Sequence, residues 1–225
     1  METINAKGKI KNAKWKILIF ALCTLHFAIV LSGCVEFQVG GDIQQGRMAL
    51  LYGDPKVALA HFQRASELDP DYLLNLSILP EGVWTYVGRA YYATGKLPDA
   101  RKALEGASSR YEQDNLAKLY LGLVLARDGE QQRGLKEIEA GLKGLEDWLY
   151  HIEQYNPDGR FWDPARELRR EIQRDRAMIG GKDVNWKELI ASGEWLGREF
   201  EEEIERVTRD KKHDIMSDDG DGKGN

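Results

Sequence analysis

The sequence has few of the residues and motifs that a catalytic or metal-binding protein needs. It contains only two cysteines, Cys23 and Cys34, too few for a disulfide framework or a cysteine-based zinc site. None of its four histidines lies in the H-E-x-x-H pattern, which places two metal ligands on one helix face. It also lacks a phosphate-binding P-loop, a dinucleotide-binding glycine fingerprint and the G-x-S-x-G pattern around a serine nucleophile. We therefore expect a protein that is not an enzyme and that holds no metal.

The balance of charge limits the kinds of partner. Lysine and arginine total 32 against 37 aspartates and glutamates, which gives a formal net charge of −5. An acidic protein repels nucleic-acid phosphates, so we expect no nucleic-acid partner. Because acids are spread along the whole sequence, a glycosidase-like pair of carboxylates stays open as an enzymatic alternative.

The first 33 residues have the order of an export signal. Five lysines form a basic start, and the stretch from Ile17 to Leu31 is almost wholly apolar. This stretch is shorter than the about 20 residues that a membrane-crossing helix needs, and it suits the apolar region of a secretory signal. Residues 1–33 are therefore predicted to be a signal peptide, with an uncleaved signal anchor as the alternative.

The end of this segment, Leu31-Ser32-Gly33-Cys34, resembles the bacterial lipobox. The resemblance implies cleavage between Gly33 and Cys34, a diacylglycerol group on the Cys34 thiol and an acyl chain on its amino group. No other cofactor is expected. Because Val35 follows in place of aspartate, the resemblance also implies retention at the outer membrane, facing the periplasm, in a bacterium with two membranes.

The segment from Trp84 to Ala107 resembles the tetratricopeptide repeat, a 34-residue helix–turn–helix unit. Eight positions match the repeat pattern: Trp84, Val87, Gly88, Tyr91, Gly95, Ala100, Leu104 and Ala107. In this reading Gly88 lies where the second helix crosses closely, and Gly95 ends the first helix as a left-handed cap. A looser copy follows around Gly122 and Gly129, in which Gly134 and Gly141 replace alanine and are expected to weaken the helix.

Another copy precedes it, around Gly46, Gly53 and Phe62, with Asp54-Pro55 as the start of its second helix. An apolar insertion, residues 71–80, separates it from the central copy. This insertion is expected to be a loop or helix extension packed on the repeats, with an exposed lip for a partner as the alternative.

Beyond the repeats the sequence predicts further helices. Residues 130–153 read as one long helix, Asp163-Pro164 starts another, and residues 184–191 and 195–209 suggest two more. Glutamates 201, 202, 203 and 205 are interpreted as a solvated face. Trp162, Trp186 and Trp195 are interpreted as core residues, with a sugar- or protein-binding patch as the alternative. The acidic, glycine-rich end resembles a calcium loop too faintly to predict one.

The predicted fold is therefore all-α: a short tetratricopeptide-type solenoid of about three helix pairs with a helical cap. The predicted units are a signal peptide (1–33), a lipidated linker (34–40), the repeat array (41–147), a C-terminal cap over its open end (148–212) and a disordered tail (213–225).

In the family that the repeats resemble, the first helices of the hairpins line a concave face that binds peptides. Matching positions here are Arg47, Thr85, Arg89, Tyr92, Leu123 and Arg127. The arginines would bind a carboxylate or an acidic segment, and Tyr92 would supply an anchoring ring. In the alternative interpretation, the arginines pair with nearby acids of the same chain.

These features predict a lipid-anchored scaffold or adaptor of the bacterial cell envelope. Its partner would be an envelope protein or peptide, with the membrane contacted through the lipid. A ligand-binding or solute-binding accessory component of an envelope transport system is the alternative, and an enclosed pocket would favour it.

Overall fold

The computed structural model describes residues 35–74 and 79–221, and of residues 215–221 it describes the backbone alone. Within these ranges the protein is all-α, as predicted. The predicted signal peptide, the lipobox and Cys34 lie outside the described residues. The helices are α1 (residues 35–51), α2 (Pro55–Leu68), α3 (Val83–Ala93), α4 (Leu97–Arg110), α5 (Asn115–Arg127), α6 (Gln131–Tyr155), α7 (Glu167–Ile179) and α8 (Trp186–Asp221).

Three short turns join these helices into the pairs α1–α2, α3–α4 and α5–α6. Each turn contains one glycine with a positive φ: Gly53 at 82°, Gly95 at 75° and Gly129 at 91°. Residues with a side chain rarely adopt this left-handed conformation, so glycine ends the first helix of each pair at the same point. The helix hairpins predicted from the sequence are therefore present, with their turns in the predicted places.

A second glycine sets the closest approach within each pair. A Cβ atom on Gly88 would lie 2.5 Å from Leu104 Cγ, and one on Gly122 would lie 2.6 Å from Ile138 Cγ1. Gly46 meets the Phe62 ring in the same way. In each pair the glycine precedes its contact residue by the same number of positions, so the three pairs repeat one packing arrangement.

The third pair has the closest backbone approach. A Cβ on Gly141 would lie 2.6 Å from the backbone nitrogen of Leu119, and one on Gly134 would lie 2.8 Å from that of Ala126. A neighbouring backbone cannot rotate away as a side-chain end can. Glycine at these positions, which the sequence suggested would weaken the helix, therefore also allows α5 and α6 to lie close together.

The insertion between α2 and α3 contains a two-residue antiparallel strand pair, which the sequence did not predict. Strand β1 (Leu73–Leu74) pairs with β2 (Glu81–Gly82), and residues 75–78 lie outside the described residues. Leu74 and Leu79 are buried against the helices, as expected for an insertion packed on the repeats. The pair also places Glu81, fully buried, beside the first turn of α3.

Helix α7 begins later than predicted. A 3₁₀ helix (Pro157–Phe161) follows α6, and α7 starts at Glu167. Asp163, proposed as its N-cap, has a positive φ of 48°, yet its carboxylate still accepts hydrogen bonds from the backbone N–H groups of Leu168 and Arg169, both at 3.1 Å. Asp163 therefore satisfies the free donors of the first turn from four residues before the helix.

The C-terminal region differs most from expectation. Residues 184–191 and 195–209 were predicted as two helices, but one helix, α8, runs from Trp186 to Asp221. The predicted disordered tail is therefore wrong for the backbone of residues 213–221, and residues 222–225 lie outside the description. Lys211 Nζ pairs with Asp158 Oδ2 at 2.5 Å, and Arg160 pairs with Asp214, so ion pairs fasten the later turns of α8 to the 3₁₀ segment.

Helix α8 also lies in an unexpected place. Instead of covering the open end of the array, it runs along the concave face formed by α1, α3 and α5, while α7 packs on α6. Its apolar side is part of the core: Leu189, Leu196, Phe200, Ile204 and Val207 are each at most 2% exposed. The Phe200 ring contacts Trp148 of α6, which in turn contacts the buried Trp162.

Candidate functional site

A buried ionic network joins α8 to the array at the middle of the concave face. Arg89 of α3 donates through Nη1 to Glu81 Oε1 at 2.5 Å and also to Glu201 of α8. Its Nη2 donates to the backbone oxygen of Gly197 at 2.9 Å. Arg89 is 2% exposed. One arginine therefore connects the insertion, the second hairpin and the C-terminal helix.

Arg47 of α1 completes this network from the first hairpin. Its Nε donates to Glu201 Oε2 at 2.6 Å, and its Nη1 lies 3.1 Å from Glu205 Oε1. Glu201 thus receives an arginine on each carboxylate oxygen while only 1% exposed. A buried carboxylate is tolerated only with such pairing, because an unpaired buried charge is very costly.

The two buried glutamates of the network titrate in opposite directions. Burial raises the pKa of Glu81 to about 8, although Arg89 acts in the opposite direction. Burial also opposes ionisation of Glu201, but Arg89 and Arg47 together lower the pKa of Glu201 below its ordinary value. Near neutral pH, Glu201 therefore carries the negative charge that the two arginines share, and Glu81 retains its proton.

Thr85 does not lie on an open surface. It is part of a buried polar contact with Asp114, next to the ionic network. Its hydroxyl donates to Asp114 Oδ2 at 2.6 Å, and the same oxygen accepts from the backbone N–H of Gly82 at 2.8 Å. Asp114 Oδ1 caps α5 through the backbone N–H of Ala117 at 2.9 Å. Burial raises the pKa of Asp114, while these donors lower it. Thr85 therefore helps to hold β2, α3 and α5 in register.

The other end of the concave face meets the first half of α8. Glu194 Oε1 accepts from the Tyr92 hydroxyl at 2.6 Å and from Arg127 Nη2 at 2.5 Å. The Arg127 guanidinium also lies 4.6 Å from the centre of the Tyr92 ring, a cation–π contact. Leu123 packs directly on Gly193, where a Cβ would lie 2.8 Å from Leu123 Cδ2.

The structure therefore brings the six predicted groove residues to one face, where they contact α8 or fasten the helices beneath it. The prediction of an open groove is wrong for this conformation: of the six, only Arg127 is substantially exposed, with 40% of its side chain accessible. The alternative interpretation, that the arginines pair with acids of the same chain, describes Arg47, Arg89 and Arg127 correctly.

The free energy gained by burying the apolar side chains of α8 indicates that this helix is a permanent part of the fold. Removing it would expose Leu196, Phe200, Ile204 and Val207, each at most 2% accessible. Burial of such a side chain stabilises by about 1.5–3 kcal/mol, so these four contribute about 6–12 kcal/mol. A whole domain is stable by about 5–15 kcal/mol. A partner that displaced α8 would have to replace most of the stability of the protein.

Sequence reasoning missed the residues of α8 that fit the concave face. Glu194 and Glu201 are two helical turns apart, and Gly193 and Gly197 are one turn apart, so all four lie near one face. The prediction of a solvated acidic face is wrong for Glu201 and for Glu203, which is 6% exposed. The signal available in the sequence was this combination of small and acidic residues at helical spacing.

Two cavities remain beside α8: the first is lined by residues of α1, α3, α5 and α8, and the second mainly by residues of α1 and α8. The first, which we call the basic cavity, has a volume of about 290 Å³ and is lined by Leu50, Leu51, Arg89, Tyr92, Ala93, Tyr120, Arg127, Glu194, Arg198 and Glu201. The second, which we call the acidic cleft, has a volume of about 470 Å³ and is lined by Met48, Leu51, Tyr52, Glu199, Glu202, Glu203, Glu205, Arg206 and Arg209. Leu51 lines both, so the two are neighbours along one seam.

No cluster of three or more histidine, cysteine or acidic side chains suited to a metal ion occurs among residues 35–74 and 79–221. In the same part of the chain, none of the helices combines the length and apolar character required to span a bilayer. Comparison with protein-family models, with curated protein sequences and with solved structures gave no match to this chain.

Proposed function

We propose that the protein is a lipid-anchored adaptor of the bacterial cell envelope that binds an envelope protein at the acidic cleft. The lipobox-like Leu31-Ser32-Gly33-Cys34 and the basic, apolar segment before it support the anchor and the export. The described part of the chain begins directly after Cys34 with α1, and α1 forms one wall of the cleft. A lipid on Cys34 would therefore tether the cleft to a membrane through the length of α1, about 21–27 Å of helix.

The observation that carries the adaptor role is the combination of apolar and acidic walls in this cleft. Tyr52 is 85% exposed, and Met48 and Leu51 are half-buried beside it. The opposite wall holds four glutamates against Arg206 and Arg209. A protein segment with lysine or arginine next to apolar residues would complement both walls.

The arginines of the cleft pair with only some of its glutamates, so a basic segment would find carboxylates that lack a close cation. Glu203 already accepts two hydrogen bonds from Arg206, but Glu202 is 3.9 Å from its nearest cation, Arg198. For Glu199, half-buried, burial raises the pKa, and neighbouring Glu202 raises it further. An incoming cation would relieve this repulsion between carboxylates.

Site-specific crosslinking in intact envelopes tests the adaptor role. A photoreactive residue at Tyr52 should capture a defined partner, and the same residue at Tyr150, 62% exposed on α6, serves as the matched control. Capture should fall when Glu199 and Glu202 are both changed to lysine. Identical products from the two positions, or capture that ignores the charge reversal, would contradict the proposal.

The anchor has its own test. Cys34→Ala should abolish acyl labelling and yield a soluble or uncleaved species, whereas persistent labelling would show that the lipid is attached elsewhere. If acyl labelling is lost while the Tyr52 crosslink persists, the anchor and the binding surface are separate properties of the protein.

A solute-binding role is the second candidate, and the lining of the basic cavity supports it, although the cavity is partly open to solvent and not enclosed. The cavity is close to the about 300 Å³ at which small-molecule sites begin, and it combines apolar, aromatic and charged walls. In that role the protein would serve an envelope transport system as an accessory binder.

A further inference from the structure

The basic cavity has an excess of positive charge that its own acids do not neutralise. Three arginines and two glutamates line it. Both glutamates are already fully engaged: Glu194 accepts from Tyr92 and Arg127, and Glu201 accepts from Arg47 and Arg89. An anion entering the cavity would therefore meet donors, while the two resident carboxylates are held by existing hydrogen bonds.

Two arginines of the cavity have unused hydrogen-bonding capacity. Arg198 lies at its mouth, 57% exposed, and its Nε is 3.9 Å from Glu202 Oε1, too far for a hydrogen bond. Arg127, 40% exposed, donates through Nη2 to Glu194 Oε1, and its Nε and Nη1 have no hydrogen-bond acceptor among the described residues. An arginine carries five N–H donors, so both side chains can donate further hydrogen bonds to a ligand.

The rest of the lining is suited to an apolar group. Leu50, Leu51 and Ala93 form one side, and the rings of Tyr92 and Tyr120 meet edge to face at 5.6 Å between centres. A volume of about 290 Å³ corresponds to about ten water-sized groups at about 30 Å³ each. The site is therefore large enough for a short aliphatic chain or one aromatic ring.

We propose that the basic cavity binds a carboxylate carried on a small apolar body, with Arg198 and Arg127 holding the carboxylate and Leu50 and Leu51 contacting the body. This inference rests on the second candidate function, for which it names the class of ligand. Arginine suits the role because its planar guanidinium donates two parallel hydrogen bonds to a carboxylate. The carboxylate could belong to a free acid or to the C-terminus of a peptide.

Calorimetry on the full-length protein in detergent tests the proposal with four probes. Phenylacetate and hexanoate represent free acids, and a short peptide ending in phenylalanine represents a C-terminus. Phenylethanol is the uncharged control for the ring. At least one of the three carboxylates should bind, and phenylethanol should bind at least tenfold more weakly. Binding of phenylacetate alone identifies a small-molecule site, while binding of the peptide alone identifies a C-terminus.

Two variants separate this cavity from the rest of the surface. Arg198→Gln removes a guanidinium whose ion pair with Glu202 is long, at 3.9 Å, and exposed. It should weaken carboxylate binding at least tenfold while leaving the circular-dichroism spectrum unchanged. Arg209→Gln, in the acidic cleft, is the matched control and should bind as the wild type does. No binding of any carboxylate, or equal binding by Arg198→Gln, would overturn the proposal. Such a failure would leave the adaptor proposal intact, because that proposal is judged by crosslinking at Tyr52.

Discussion

Helix α8 contacts the two ends of the concave face in different ways. Against α5 it presents glycine: Gly193 lies on Leu123, and Gly197 lies on the Tyr120 ring with no space for a Cβ. Against α1 it presents long charged side chains, and both cavities reach α1 there, although the basic cavity also extends to Tyr120 and Arg127 of α5. Close packing requires small, apolar contacts, whereas paired charged side chains hold helices apart. The α5 side therefore stabilises the fold, and the α1 side has the space that binding requires.

The network between these two sides should show the largest mutational effect. Arg89→Ala would leave the buried Glu201 with Arg47 as its remaining cation, and Glu81 without its hydrogen bond to Arg89. Removing one partner of a buried ion pair typically costs about 3–5 kcal/mol. Urea unfolding monitored by circular dichroism measures this change. Arg127→Ala, which breaks a partly exposed pair with Glu194, is the matched control and should cost at most about 1 kcal/mol. Equal costs for the two variants would show that the buried network does not hold α8 in place.

Adding one methyl group should have opposite effects on stability at the close contact between α8 and α5 and at an open position of α4. Gly197→Ala places a Cβ against the buried Tyr120 ring, and overpacking of this kind costs about 1–3 kcal/mol. Gly106→Ala is the control, because no atom lies within 4 Å of its added Cβ within helix α4. That change should stabilise the protein by up to about 1 kcal/mol through helix propensity. Thermal melting of the two variants should therefore shift in opposite directions.

The stability of the protein should fall as pH rises through neutrality because of Glu81. The folded state holds its proton up to a pKa of about 8, while the unfolded chain loses it near 4.5. Between these pH values folding therefore takes up a proton, so higher pH favours unfolding. Where one whole proton is taken up, the free energy of unfolding falls by about 1.4 kcal/mol for each pH unit. Glu81→Gln cannot ionise and should lose less stability than the wild type between pH 6.5 and 8. Parallel urea titrations at several pH values measure the difference, and identical slopes would contradict the buried, protonated state of Glu81.

The smallest effect is expected on the α1 side. Leu51→Phe adds volume where the two cavities already provide space, so the free energy of unfolding should change by no more than about 0.5 kcal/mol. The same substitution should weaken binding of phenylacetate, because the added ring occupies the cavity. A cost as large as that of Gly197→Ala would mean that the α1 side is as tightly packed as the α5 side.

The three hairpins could be predicted from the sequence because their signals are local. Gly53, Gly95 and Gly129 mark the turns, and Gly88 with Leu104 marks the contact between two helices of one pair. Each such signal involves residues fewer than 20 positions apart, so the repeat pattern contains both partners. The candidate site was predicted only in part: the sequence indicated which residues line the concave face, but not what occupies it.

The sequence by itself determined the helical hairpins, their turns and the face on which Arg47, Arg89 and Arg127 lie. Only the tertiary structure decided that α8 fills that face, that Glu201 is buried between two arginines, and that the cavities lie along α1. The physical reason is the separation in sequence between the residues that make these contacts. Helical periodicity shows which side of α8 is apolar, but its docking place depends on contacts between residues more than 100 positions apart, such as Arg89 and Glu201.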